Sequence, residues 1–188
     1  MEGGLELELV AAARAGDELA FASLIEAEAP RVYRAVLAIV RSPEDAQEVI
    51  QDASIRAWRQ IHVLREADRW AAWYRRIAIR QAMDMAGRQG RRRVREISLD
   101  SSGDGGLGSR DRLGADPSAG WAERASVMSA LAYLSKEDRA LLGLRFGADL
   151  EVPDVAAALG IPLGTAKSRL RRALGRLAAA MGDDDVQR

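Results

Sequence analysis

The residues of this sequence best suited to chemistry are basic side chains close to its C-terminal end. Residues 163–177 contain no acid and carry a local charge of +5, from Lys167, Arg169, Arg171, Arg172 and Arg176. Ammonium and guanidinium groups bind phosphate oxygens and donate hydrogen bonds to base edges, so this segment could hold a nucleic acid. The alternative is an ordinary helix with a solvated basic face.

A second basic segment lies in the first half of the chain. Residues 75–95 contain eight Arg and one acid, Asp84, whereas residues 1–30 contain seven acids and one base. The 28 basic and 28 acidic residues of the whole chain cancel, so the net charge of zero hides these local excesses. Two basic segments on a neutral chain indicate two places where a polyanion is bound.

A predicted helix-turn-helix over residues 152–177 positions the first set of basic residues. Its first helix is expected from about Pro153 to Leu159, and Gly160 can end that helix in the left-handed conformation. Thr165 can cap the second helix, and the side chains that follow divide between two faces. The inner face is Ala166, Leu170, Ala173 and Leu177; the outer face is Lys167, Ser168, Arg171 and Arg172, with Arg169 beside them. Such a helix fits the major groove, which favours DNA recognition.

Helices are also predicted for the rest of the chain. Apolar residues recur at three- and four-residue steps, and no alternating β-branched run indicates a strand. Ser42-Pro43 and Ser135 have the composition of helix starts, with Asp138 in the reciprocal capping position. One helix is expected from about Trp70 to Gly87, and another from Trp121 to Tyr133 with Val127 and Leu131 facing inward.

A polar segment divides the chain. Residues 98–120 contain six Gly and five Ser, a composition that predicts a flexible linker. We therefore expect an all-α fold with two small helical domains, residues 17–97 and 121–181, joined by this linker. Residues 1–16 are interpreted as an unstructured extension and residues 182–188 as a tail. The alternative for the acidic start is that it shields the basic segments from nonspecific DNA.

Composition excludes several classes of function. The chain has no Cys and a single His, which argues against disulfides, thiolate metal sites and imidazole triads. No nucleophile has a base partner beyond His62, and the glycine-rich GDGGLG lacks the Gly-Lys-Ser/Thr of a phosphate loop. No apolar run is long enough to cross a membrane. We expect a cytoplasmic protein that is not an enzyme and has no cofactor or metal.

Three stretches in order resemble one protein family. GIPLGTAKSRLRRALGRL is similar to the promoter-reading end of group 4, or extracytoplasmic-function, bacterial sigma factors. SPEDAQEVIQDASIRAW (42–58) and WYRRIAIRQAMDMAGRQGRR (73–92) resemble the matching parts of that family's first domain. The resemblance implies a transcription initiation factor whose partners are promoter DNA and core RNA polymerase, through the β′ clamp helices and the β flap. An anti-sigma factor is a further candidate partner.

The resemblance also implies roles for individual residues. Polymerase binding would fall to Glu48, Gln51, Asp52 and Arg56, on the helix face opposite Val49, Ile50 and Ala53. Melting and holding the −10 element would fall to Trp70, Arg76, Arg80, Arg88, Arg91 and Arg92. Reading the −35 element would fall to Thr165, Lys167, Ser168, Arg169, Arg171, Arg172 and Arg176.

Two residues among these keep open alternatives. Trp70 is either a base-capturing residue or part of the core, and Trp73 is assigned to the core. Arg80 stands where relatives commonly have Asn, which implies a different −10 preference.

The alternative function for the whole chain is a helix-turn-helix regulator with a helical sensor or dimerisation domain.

Overall fold

The structure, a computed structural model, describes residues 2–99 and 121–186. Within these ranges every regular element is helical, which confirms the all-α fold class. The helices are α1 (Glu2–Arg14), α2 (Glu18–Val40), α3 (Pro43–Gln60), α4 (Trp70–Leu99), α5 (Trp121–Ala132), α6 (Lys136–Leu142), α7 (Val152–Leu159) and α8 (Leu163–Val186). Two short 3₁₀ turns, Ile61–Val63 and Ala67–Arg69, connect α3 to α4, and a π-helical turn, Gly143–Gly147, follows α6. None of the described helices has the length and apolar character to span a membrane.

The boundaries of α2 and α3 follow from local chemistry. The Asp17 side chain accepts hydrogen bonds from the Leu19 and Ala20 amides at 2.9 and 3.0 Å, which caps α2. Arg41 ends the helix in the left-handed region, at φ 67°. Ser42 then caps α3 by accepting from the Asp45 amide at 3.2 Å, and Pro43 occupies the first turn as predicted.

The expectation of an unstructured N-terminal extension is wrong. Residues 2–14 form α1, which packs on α2 and on both 3₁₀ turns. Val10 and Ala13 are 0% and 1% exposed within the main core. Burying a few well-placed apolar side chains is enough to order a short helix against a larger one. The acidic composition of this segment indicated a solvated extension and did not reveal these two buried positions.

The core of the first half contains a stack of aromatic rings and one ion pair. Trp70 lies parallel to Tyr74, with centroids 5.5 Å apart, and edge-on to Phe21 at 5.6 Å. Arg75 donates two hydrogen bonds to Glu28, at 2.7 and 2.9 Å, and joins α4 to α2. Both side chains are largely buried, so this paired geometry satisfies charges that would otherwise destabilise the core.

The second half agrees with prediction in its turns and differs in three side chains. Ser135 accepts from the Asp138 amide at 3.1 Å, and Gly160 ends α7 in the left-handed conformation, both as predicted. Val127, expected inside, is 36% exposed, whereas Leu131 is buried. Thr165 is not a cap, since α8 begins at Leu163 and places it in the first turn. The Asp138 carboxylate faces α8 instead of closing a reciprocal cap.

The predicted linker and tail are only partly within the described residues. Residues 98 and 99 belong to the end of α4, and residues 182–186 belong to α8. Residues 100–120 and 187–188 lie outside the described ranges.

The two halves share one apolar core. Leu141, Leu144 and Val155 of the second half are 0–1% exposed in the same cluster as Val36 and Ile39 of α2. The connection is made by α2, which contacts α6 and the π-helical turn, and by α4, which contacts α6 and α7. The first and second halves of the chain are therefore packed against each other in this structure.

Candidate nucleic-acid and polymerase interfaces

The basic helix α8 has one buried face and three exposed sectors. Ala166 and Ala173 are fully buried, and Leu170 and Leu177 are half-buried, so this side packs on the rest of the second half. At about 100° per residue, Lys167 and Arg171 lie on one flank, Ser168 and Arg172 point outward, and Arg169 and Arg176 lie on the other flank. All six of these side chains are exposed.

The flank of Arg169 and Arg176 is turned towards α6. Arg176 Nη2 lies 2.7 Å from an oxygen of Asp138, whose side chain is only 9% exposed. Arg169, Arg172 and Arg176 line an open depression of about 480 Å³ together with Ser135, Glu137 and Asp138. Lys167 and Arg171 do not line this depression. The three arginines therefore differ from them in having acidic neighbours there.

The α4 arginines form the second basic surface. Arg76, Arg80 and Arg88 are exposed and have no ion pair with another described residue. Arg91 and Arg92 continue the same helix, but their side chains lie outside the described ones. The predicted −10 arginines whose side chains are described are thus free to meet a polyanion.

Trp70 is misplaced in the predicted −10 set. Its ring is 1% exposed and stacked on Tyr74 inside the core, so it has no face available for a base. Its indole nitrogen has no hydrogen-bond partner among the described residues. Trp73, assigned to the core, is half-buried at 5.6 Å from Trp70. Sequence spacing alone could not separate the two, because the burial of Trp70 depends on Phe21 from another helix.

The face of α3 predicted to bind polymerase is open. Glu48, Gln51, Asp52 and Arg56 are all exposed, while Val49 and Ala53 are buried. Glu48, Gln51 and Asp52 lie on the side of α3 away from these two residues, whereas Arg56, two turns after Val49, lies at the edge of the buried side. Sequence reasoning missed Ile55, which is 43% exposed among these polar side chains. Its position could have indicated this, because Ile55 lies one turn after Gln51 and Asp52 and therefore on their side of the helix. An apolar residue exposed within a charged face is typical of a protein-binding surface.

A cleft of about 410 Å³ lies where the two halves meet. Its lining includes Arg76 and Arg80 of α4, Arg169 of α8 and Lys136 of α6, over an apolar floor that includes Ile79 and Leu141. The structure thus brings members of the two predicted DNA-binding sets to one cavity. No group of three or more metal-ligating side chains occurs among the described residues.

Comparisons with protein families match both halves of the chain. Residues 24–92 match Sigma-70 region 2, and residues 130–179 match Sigma-70, region 4. The two matches together cover more than half of the chain and follow the order inferred from the three sequence motifs.

Relatives with both regions are similar over most of their length. The ECF RNA polymerase sigma factor RpoE of Cereibacter sphaeroides is 33% identical over 162 residues, 86% of either chain. The RNA polymerase sigma-E factor of Streptomyces avermitilis is 29% identical over 174 residues, 91% of this chain and 90% of its own.

Two solved structures share the fold. CnrH, solved in complex with the cytosolic domain of CnrY, matches with a TM-score of 0.69 and 22% identity over 96% of this chain and 99% of its own. Sigma factor RpoE of Bartonella quintana, solved with the anti-sigma factor NepR, matches with a TM-score of 0.63 and 24% identity over 86% and 96%. With both family regions in order on this helical scaffold, and a relative a third identical over most of its length, the chain belongs to the extracytoplasmic-function class of sigma-70 RNA polymerase sigma factors.

Proposed function

We propose that this sigma factor directs initiation by binding core RNA polymerase through α3, holding the −10 element with α4, and reading the −35 element with α8. The observation that carries the proposal is the pair of exposed basic helices, one in each half, beside an exposed acidic face on α3. DNA phosphates need the first kind of surface, and a protein partner of opposite charge needs the second.

The two DNA surfaces have different tasks. On α8, the early residues Lys167 and Arg171 are proposed to contact base edges, since the start of a recognition helix enters the major groove. Ser168 is proposed to contact either a base or a phosphate. Arg172 and Arg176 are proposed to contact phosphate. On α4, Arg76 and Arg80 are proposed to hold the melted strand, because a guanidinium plane can replace part of the stacking that an unpaired base loses. Arg88, Arg91 and Arg92 are proposed to contact its backbone.

The polymerase surface is proposed to be Glu48, Gln51, Asp52 and Arg56, with Ile55 as its apolar centre. Charged residues at a rim steer association, and a desolvated apolar residue within it contributes most to affinity. We propose the β′ clamp helices as the partner of this face and the β flap as a partner of the second half. Residues 17–97 and 121–181 would form the two functional domains.

Regulation by an anti-sigma factor is part of the proposal. The matching Bartonella sigma factor was solved with an anti-sigma factor, and CnrH with the cytosolic domain of CnrY. We propose that this chain has a protein partner of the same kind.

We also propose that the protein acts in the cytoplasm and has no catalytic activity of its own.

Run-off transcription with core polymerase tests the proposal. Core polymerase with this chain should give transcripts from a defined set of promoters, and core polymerase alone should not. Co-purification with core polymerase separates this function from that of a helix-turn-helix regulator, which would bind DNA without it. The absence of both transcripts and core binding would contradict the proposal.

A further inference from the structure

Two glycines on the π-helical turn form part of the contact between the two halves. Gly143 and Gly147 lie against α2, and we propose that this glycine face is a lock that holds the sigma factor in a closed form. The closed form cannot engage both promoter elements at once. The proposal rests on the function proposed above only for its consequence, since the lock itself is a property of the free chain.

The glycines allow the backbones to approach more closely than other residues would. A Cβ atom placed on Gly143 would lie 2.8 Å from the Ala35 carbonyl oxygen and 3.2 Å from the Ala38 Cβ. A Cβ on Gly147 would lie 3.0 Å from the Ala35 nitrogen. The obstructing atoms at both positions belong to α2, so a side chain at either position requires the turn and α2 to shift apart, most of all at Gly143.

The conformation of Gly143 does not itself require glycine. Its φ and ψ are −61° and −43°, ordinary helical values that alanine adopts more readily. A glycine within a helical segment weakens that segment, so its presence here is explained by the close approach to α2 and not by the local fold.

Two arginines reinforce the glycine face from opposite sides. Arg34 of α2 donates from Nε to the Gly147 carbonyl at 2.8 Å. Arg139 of α6 donates from Nε to the Ile39 carbonyl at 2.9 Å, and from Nη1 to the Leu134 carbonyl at 2.6 Å. Each half therefore supplies a guanidinium to a backbone carbonyl of the other, which fixes their register as well as their contact.

The closed form places the two DNA surfaces too close together. Arg80 and Arg169 line the same cleft, which has a volume of about 410 Å³. A DNA duplex is much larger than this cleft, since its major groove is about 12 Å wide and one turn is about 34–36 Å long. Helices bound to promoter elements more than a turn apart cannot share a cavity of this size. Promoter binding at both elements therefore requires the lock to open.

Opening would expose apolar surface. Leu141 and Leu144, next to the glycine face, are 1% and 0% exposed in the core shared with α2. Exposing them is unfavourable in water, so the free chain stays closed until a partner covers or offsets that surface. The lock thus makes DNA binding depend on polymerase.

The chain contains no Cys, so two introduced cysteines can carry distance probes without background labelling. Ser23→Cys on α2 and Ala179→Cys on α8 are exposed positions away from the glycine face. In the free full-length chain we expect one short, narrow distance, and in the holoenzyme a longer one. In Gly143→Ala/Gly147→Ala the free chain should already show the longer distances.

The control is Gly182→Ala, because a Cβ there would meet no atom within 4 Å, and it should keep the short distance. If the double variant loses helical content, Arg34→Gln is the second test, since Arg34 is exposed and its hydrogen bond among the described residues is the one to the Gly147 carbonyl. It should shift part of the population to the longer distance. Wild-type distances in both variants, or a broad distance in the wild-type free chain, would overturn the lock.

The functional readout is the sigma concentration that gives half-maximal run-off transcription. If about nine tenths of the free chains are closed, opening them should lower that concentration on the order of ten-fold. The two proposals fail differently. Distances that respond as expected without any transcript would contradict the proposed function and leave the lock standing, whereas transcripts with unresponsive distances would contradict the lock alone.

Discussion

Arg176 Nη2 on α8 lies 2.7 Å from the carboxylate of Asp138 on α6, and this pair joins one flank of α8 to α6. Asp138 is only 9% exposed, so its charge depends on Arg176 for compensation. Arg176 is one of the residues predicted from the sequence to read the −35 element, and its pairing with Asp138 gives it a structural role as well.

The first prediction concerns this pair. Arg176→Ala should lower the free energy of unfolding by about 1–3 kcal/mol, because it leaves a nearly buried carboxylate unpaired. Chemical denaturation measures the loss. Arg172→Ala is the matched control, since Arg172 is exposed and has no ion pair with a described residue, and it should leave stability almost unchanged. Equal stability of the two variants would show that the Asp138 contact contributes nothing to the fold.

The second prediction concerns base and phosphate contacts on α8. Lys167→Ala or Arg171→Ala should cost roughly 1–3 kcal/mol and relax preference at one position of the −35 element. Arg172→Ala should weaken all sequences alike and reduce the salt dependence by about one unit. The measurement is holoenzyme binding to single-base promoter variants at two salt concentrations. If all three substitutions leave affinity and base preference unchanged, α8 is a solvated surface.

The third prediction concerns the polymerase face. Glu48→Lys, and separately Asp52→Lys, should weaken binding to core polymerase while the helical content stays normal, because both residues are exposed. Titration of labelled core polymerase measures the affinity. Glu26→Lys reverses an exposed charge on a different helix, α2, and should bind as the wild type does. Normal affinity of both α3 variants would contradict the assignment of this face.

The parts of the fold that sequence reasoning predicted correctly depend on neighbouring residues. Ser42, Ser135 and Gly160 begin or end helices through contacts within four residues, so their chemistry can be recognised in the sequence. The apolar face of α8 is equally local, since one helical period determines it.

The parts that were missed depend on residues far apart in the chain. For Trp70 the sequence left a base-capturing role and a core role open, and only the packing of Phe21 against it decides in favour of the core. Nothing in the sequence around Gly143 indicates that glycine is needed in the π-helical turn. The need arises from the close approach of Ala35, more than a hundred residues earlier in the chain. Helix α1 was missed because its buried face is formed by just a few side chains.

The last prediction concerns Tyr74, whose hydroxyl lies 3.0 Å from Ser54 Oγ under the aromatic stack. Burial raises the pKa of Tyr74 above its ordinary 10.0, and the nearby Glu28 charge raises it further, although the Ser54 hydrogen bond acts in the opposite direction. Above pH 10 the unfolded chain therefore releases the Tyr74 proton before the folded chain does, so this residue's contribution to stability falls as pH rises.

Tyr74→Phe removes both the hydrogen bond and this titration. At about pH 8–9 it should cost roughly 0.5–1.5 kcal/mol of unfolding free energy, and this cost should shrink at about pH 11 because the wild type alone loses stability there through Tyr74. Urea unfolding of both proteins at the two pH values measures the difference. Tyr133→Phe, at a ring that is 76% exposed, should cost almost nothing at the lower pH. A Tyr74→Phe cost that grows between the two pH values would show that the folded state favours the ionised phenol, which is the reverse of what its burial requires.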